Sequence, residues 1–170
     1  MEIIIVRHAS AEDRGANGDE DRKLTPEGKQ EAHSTGVALK AMGVAPAKIM
    51  TSPLIRARET ADILAGLLGG EVEVMELLGP PGDPKEALSD IEEMESKGMS
   101  CVVLVGHNPS LEEFIGYFIS GDTEAKINLT KAGAAGLSYQ PHGQAQPTLE
   151  WLMRRKQLKM VADRFTRIRP

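Results

Sequence analysis

The sequence predicts an α/β fold, a three-layer α/β/α sandwich around a largely parallel central sheet. Two observations carry this. Ile3-Ile4-Ile5-Val6 and Ser100-Cys101-Val102-Val103-Leu104-Val105 are continuous apolar runs, the pattern of strands buried on both faces. Along the whole chain, strand-like runs alternate with helix-like ones, the order that builds parallel sheets covered by helices.

The first strand covers Ile3 to Val6, and the polar stretch from Ser10 to Lys23 reads as a surface loop. A helix is expected from about Thr25 to Met42, stopped near Gly43, then a short strand from Ala47 to Thr51 and a helix from Ser52 to about Leu68. Glu71 to Met75 alternates like an edge strand, and Asp83 to Lys97 reads as a charged, exposed helix. The second buried strand, Ser100 to Val105, leads into a helix from Asn108 to about Ile119. Weaker strands near Gly136 to Gln140 and Thr148 to Met153 precede a basic C-terminal tail from about residue 154. Thr25-Pro26, Ser52-Pro53 and Asn108-Pro109 each place a capping residue before a proline, which predicts three pinned helix starts.

At 170 residues the chain suits one domain, residues 1–170. A net charge of −5 argues against a general nucleic-acid binder. One cysteine, Cys101, excludes an intrachain disulfide and reads as a core residue. The apolar runs are too short for a membrane span or a signal segment, so the expectation is a cytoplasmic protein without membrane partners.

Both of the purest strands end in a histidine: Arg7-His8 after the first, Gly106-His107-Asn108-Pro109 after the later one. In such sheets ligands bind beyond the carboxyl ends of the strands, so these side chains are placed where chemistry occurs. Between them, Ser52-Pro53-Leu54-Ile55-Arg56-Ala57-Arg58 puts Arg56 one turn into a helix, where a cation makes sense facing an anion. Arg58 points elsewhere and reads as solvated. Any one of these features alone is weak.

Together, RHA, SPLIRARETA and VGHNP in this order resemble the histidine phosphatase superfamily, and the short chain most resembles its compact phosphohistidine phosphatase branch. The resemblance implies a phosphoglycerate mutase-like fold, His8 as nucleophile, and Arg7, Arg56 and His107 around the phosphoryl group, with Asn108 also at the substrate. It implies a metal-independent hydrolase without cofactor, acting on a phosphorylated protein or a small phosphorylated molecule. Many members carry glycine after the histidine; here it is Ala9, which would matter if that position needs positive φ.

The residues suit the reaction on chemical grounds. Phosphoryl transfer needs an in-line nucleophile and positive charge around the equatorial oxygens. A neutral imidazole is a competent nucleophile, two arginines should lower its pKa, and a backbone carbonyl is expected to hold its second nitrogen. A protonated His107 would add charge. The histidines, His33 and His142 included, are too scattered to suggest a metal centre. Glu76, then Asp83, are the candidates for a general acid, though each reads first as a surface carboxylate. Without such an acid, phosphohistidine is the fitting substrate, because imidazole leaves more readily than an alkoxide. The alternatives are a phosphatase of small esters using Glu76 and a phosphate- or phosphoprotein-binding module without catalysis. The module is disfavoured because a binder has no need of a nucleophile. The tail after Trp151 carries seven basic residues against one acid, a net +6, so the rest of the chain carries −11. It reads first as a solvated helix packing Leu158 and Val161, and second as a surface that steers an acidic partner.

Overall fold

The structure is a computed structural model and describes residues 1–140 and 146–168, so His142 and Arg169 fall outside the described residues. Six strands form one sheet: β1 (Glu2–Arg7), β2 (Lys48–Thr51), β3 (Glu71–Val74), β4 (Cys101–Gly106), β5 (Ala134–Ser138) and β6 (Thr148–Met153). Their spatial order is β3-β2-β4-β1-β5-β6. The pairs β2–β3, β2–β4 and β1–β4 are parallel, and β5 joins antiparallel to both β1 and β6. The helices are α1 (Pro26–Ala41), α2 (Ile55–Leu68), α3 (Pro84–Ser96), α4 (Ser110–Ser120) and α5 (Arg155–Ile168).

Period-two alternation in the buried strands explains the three layers. Ile3 and Ile5 of β1, with Val102 and Leu104 of β4, face a core completed by Ile91, Leu111, Phe114 and Phe118 from α3 and α4. Ile4 and Val6, with Val103 and Val105, face the opposite core, completed by Leu39, Leu64 and Leu158 from α1, α2 and α5. Phe114 is fully buried. Phe114→Ala should therefore cost about 3–5 kcal/mol of stability, read from the urea midpoint. A loss under about 1 kcal/mol would mean that this layer packs loosely.

Two of the three predicted helix starts differ in the structure. Thr25 caps α1, its hydroxyl accepting from Gly28 N at 3.0 Å. Helix α2 instead begins at Ile55 with Leu54 as its cap residue, and α4 at Ser110 after Pro109, neither with a side-chain cap bond. Ser52 and Asn108 bond elsewhere, as shown below. A cap of the predicted kind occurs at Asp83-Pro84, where the Asp83 carboxylate accepts from Lys85 N and Glu86 N. The basic tail is helix α5, which buries Leu158 and Ala162 with Val161 partly buried. Cys101 is buried, and burial pushes its thiol pKa up to about 12. Among the described residues no helix is long and apolar enough to cross a membrane.

Candidate active site

Because β2, β4 and β1 are adjacent and parallel, their carboxyl ends lie side by side. Thr51 is in register with Val105, and Arg7 with Gly106. The segments that follow are Ser52 to Arg56, His107-Asn108 and His8, so residues far apart in sequence meet at one edge of the sheet. Gly106 permits this. A Cβ there would stand 3.0 Å from Leu78 O and 3.1 Å from Leu111 Cδ2, so glycine lets the 3-10 turn Glu76–Leu78 and α4 close on the strand end without displacing either.

His8 and His107 are 6% and 4% exposed, with ring centroids 4.8 Å apart. Nδ1 of His8 lies 2.7 Å from its neighbour's carbonyl, Ala9 O. A carbonyl only accepts, so Nδ1 carries the proton and Nε2 keeps its lone pair. Burial, then the nearby His107, Arg56 and Arg7, push the His8 pKa down to about 3, against the Ala9 bond that favours the charged form. The arginines do lower it, but burial is the larger cause. His107 is pushed down to about 4, by burial first and by Arg56 and Arg7, with Asp19 opposing. Where the sequence suggested a charged His107, the protein's own groups hold it neutral at pH 7, and the two guanidinium groups carry the positive charge.

Arg56 is 6% exposed. Its Nη1 donates to Asp19 O at 2.7 Å and its Nη2 to Asp19 Oδ2 at 2.9 Å. Arg7 donates from Nη1 to Leu129 O at 3.0 Å, and burial lowers its pKa while Glu112 raises it. His107 Nε2 lies 2.7 Å from Ser52 Oγ, which accepts from Leu54 N at 3.3 Å. Thr60 Oγ1 accepts from Ala9 N at 3.2 Å and donates to Arg56 O at 2.7 Å, tying the neighbour of His8 to the helix that carries Arg56. Ala9 is fully buried and is not among the positive-φ residues, so glycine is not demanded there.

Among the described residues, the buried side-chain polar atoms with no hydrogen-bond partner in the protein are Arg7 Nε, Arg56 Nε, His107 Nδ1 and Asn108 Oδ1. All four belong to this site. Unpartnered buried donors are costly, and three of these atoms come from residues that surround His8. The three nitrogens are what an oxyanion would complete, whereas Asn108 Oδ1 is an acceptor.

Of the remaining residues, Glu76, Arg58 and His33 lie on the surface as the sequence suggested, and Asn108 and Asp83 hold structural bonds. Asn108 Nδ2 donates to Leu129 O at 3.0 Å, so its amide serves the turn that also holds Arg7. Glu76 is exposed on the 3-10 turn, Arg58 and His33 are exposed, and Asp83 is the cap of α3. No cluster of metal-ligating side chains occurs among the described residues. Asp19 was missed by the sequence reading, because nothing local marks a loop aspartate as the partner of an arginine 37 positions later. Asp19→Ala removes the carboxylate partner of Arg56 Nη2 while leaving Nη1 on the backbone carbonyl, and should raise KM about 3- to 10-fold with a smaller change in kcat. Equal kinetics in steady-state assays would show that Arg56 holds its position alone.

Comparison with known proteins decides the family. The model of the "Histidine phosphatase superfamily (branch 1)" matches residues 3–79, which include Arg7, His8 and Arg56. The chain belongs to the histidine phosphatase superfamily. It is accordingly a hydrolase of the phosphatase class. An uncharacterized protein of Picosynechococcus sp. is 38% identical to this phosphatase over 139 residues, 81% of this chain and 84% of that one. Phosphohistidine phosphatase SixA of Escherichia coli is 25% identical over 163 residues, 95% of this chain and 98% of that one. A solved structure of the protein histidine phosphatase SixA complexed with tungstate superposes with a TM-score of 0.84 at 25% identity. It covers 94% of this chain and 100% of that chain. The family model ends before His107, so the fold rather than that match brings the second histidine beside His8.

The lowered histidine pKa values give a test on stability. In the unfolded chain both rings titrate near the ordinary 6.5, whereas in the folded phosphatase they resist protonation down to about 3 and 4. Between those limits the unfolded state binds more protons, so falling pH favours unfolding. Above about 6.5 the contribution is constant. Thermal unfolding in phosphate-free buffer should show Tm dropping between pH 6.5 and pH 4, less steeply in His8→Asn/His107→Asn. An identical slope in the double variant would assign the loss to other groups.

Proposed function

We propose that the chain is a protein phosphohistidine phosphatase working through a covalent intermediate on His8. The supporting observation is His8 Nε2, free and neutral, among the unpartnered buried Arg7 Nε, Arg56 Nε and His107 Nδ1. In the first step the Nε2 lone pair attacks phosphorus. The Nε2–P bond forms as the bond to the leaving group breaks, and the two arginines hold the equatorial oxygens. The dianion raises the depressed histidine pKa values by its opposite charge. In the second step water attacks the same phosphorus, loses a proton and releases phosphate, while the electron pair returns to Nε2. With Ser52 donating to Nε2 of His107, that ring carries its proton on Nδ1 and donates it to an equatorial oxygen. Asn108 acts on Leu129 O rather than on the substrate.

The leaving group sets the substrate class. A phosphohistidine already protonated on its other ring nitrogen departs as neutral imidazole and needs no acid from the protein. Glu76, the acid that an alkyl phosphate would need, is exposed and has no ion pair among the described residues. Two measurements test the proposal. Acid-sensitive, base-stable label from ³²P-substrate should appear on the protein, and a phosphohistidine peptide should be cleaved faster than a matched phosphoserine peptide, with chelator present. No trapped label, or a Glu76→Gln variant that loses phosphoserine turnover at rates equal to phosphohistidine turnover, would overturn the mechanism or the substrate respectively.

A further inference from the structure

The cations at the start of α5 are misplaced if their only purpose is to make a helix. Arg155 and Lys156 occupy its first turn, Arg154 precedes it, and no acid stands in that turn. Cations at a helix N-terminus oppose its dipole. Arg155 is compensated, pairing with the buried Glu31 and lying 3.7 Å from Glu27. Arg154 and Lys156 are exposed and have no ion pair among the described residues, and the same holds for Lys131.

These three cations lie together. A cleft of about 360 Å³ is lined by Ser10, Thr130, Lys131, Arg154, Arg155 and Lys156, and of its four cations only Arg155 has an acidic partner among the described residues. The cleft is built into the frame of the site. Ser10 follows His8 by two residues. The turn that carries Thr130 and Lys131 presents Leu129 O to Arg7, and Ala132 N donates to Arg7 O and His8 O at 3.1 and 3.3 Å. Arg155 N donates to Thr130 Oγ1 at 3.2 Å, which joins the helix start to that turn. Lysine and arginine thus line a cleft whose walls adjoin His8 along the chain, on a protein whose net charge is −5.

We infer that Lys131, Arg154 and Lys156 form a docking surface for acidic residues flanking the phosphorylated side chain of a protein substrate. This rests on the phosphatase reading and narrows it: the substrate is a phosphoprotein with carboxylates beside the phosphorylated residue. Such a surface speeds encounter and is screened by salt. It gives an acidic phosphoprotein an advantage that a small phosphate ester lacks.

The test compares a phosphohistidine peptide flanked by glutamates, the same peptide with glutamines, and p-nitrophenyl phosphate. For the wild-type chain, kcat/KM should favour the acidic peptide by about tenfold at low salt, falling as salt rises. In Lys131→Glu/Arg154→Glu/Lys156→Glu the preference should vanish or invert, with p-nitrophenyl phosphate turnover within about twofold and thermal unfolding unchanged. Equal wild-type turnover of the two peptides overturns the surface and leaves the phosphatase reading intact. A variant that loses all three substrates alike overturns it too, by assigning the residues to the site itself. Lack of peptide preference alongside charge-dependent binding of an oligonucleotide would give the surface to nucleic acid. Wild-type chain that turns over none of the three defeats the phosphatase reading instead.

Discussion

His8→Ala is expected to reduce turnover by on the order of 10⁴-fold or more, because it removes the atom on which the proposed covalent intermediate forms. The same variant should still bind phosphate, with an affinity within about tenfold of the wild-type chain. The reasoning is electrostatic. With its pKa pushed down to about 3, the His8 ring brings no charge to the site at neutral pH. The charge that attracts the anion is on Arg7 and Arg56, and His8→Ala leaves Arg7 on Leu129 O and Arg56 on Asp19. Binding and chemistry should therefore separate. Single-turnover assays with labelled substrate, together with phosphate titration by calorimetry, read the two properties independently. Residual turnover above about one per cent of wild type would mean that water attacks phosphorus directly and that no residue-8 intermediate is needed.

The part of the site that was legible in the sequence is the part built on strand ends. Ile3 to Val6 and Cys101 to Val105 are so uniformly apolar that their strands, and the edge at which Arg7, His8 and His107 emerge, follow from hydrophobicity alone. Arg56 was legible because a cation one turn into a helix after a strand calls for an anion. The remainder depends on contacts that sequence does not mark. Leu129 O is a backbone atom, and its service to Arg7 and Asn108 is independent of its side chain. Glu31 becomes buried only because Ser10 N and Arg155 converge on it from opposite ends of the chain. The prolines after Ser52 and Asn108 misled for a related reason. Both side chains are polar and near a helix start, but His107 claims Ser52 and Leu129 O claims Asn108. At Asp83-Pro84, with no such competitor, the cap forms. Local propensity held where tertiary partners did not outbid it.

Arg56→Ala should lower kcat/KM by about 10²- to 10³-fold, equivalent to roughly 3–4 kcal/mol. Unlike His8→Ala, it should weaken phosphate binding as well. Three consequences follow from one guanidinium. Its Nε is one of the unpartnered buried donors, its charge is one of two that face the anion, and its Nη groups fix Asp19. Arg56→Lys separates them. Lysine restores a charge but neither the planar fork nor the Asp19 backbone contact at the same geometry. If charge alone matters, Arg56→Lys should recover most of the activity; the paired bonds to Asp19 O and Oδ2 argue instead for recovery of less than about tenfold. The pH dependence adds an independent reading. Arg56 helps to hold His8 and His107 neutral, so Arg56→Ala should move the acid limb of kcat/KM toward higher pH, while Arg56→Lys should leave it near its wild-type place. An Arg56→Ala enzyme within about fivefold of wild type, with an unmoved acid limb, would mean that this guanidinium faces Asp19 and not the phosphoryl group.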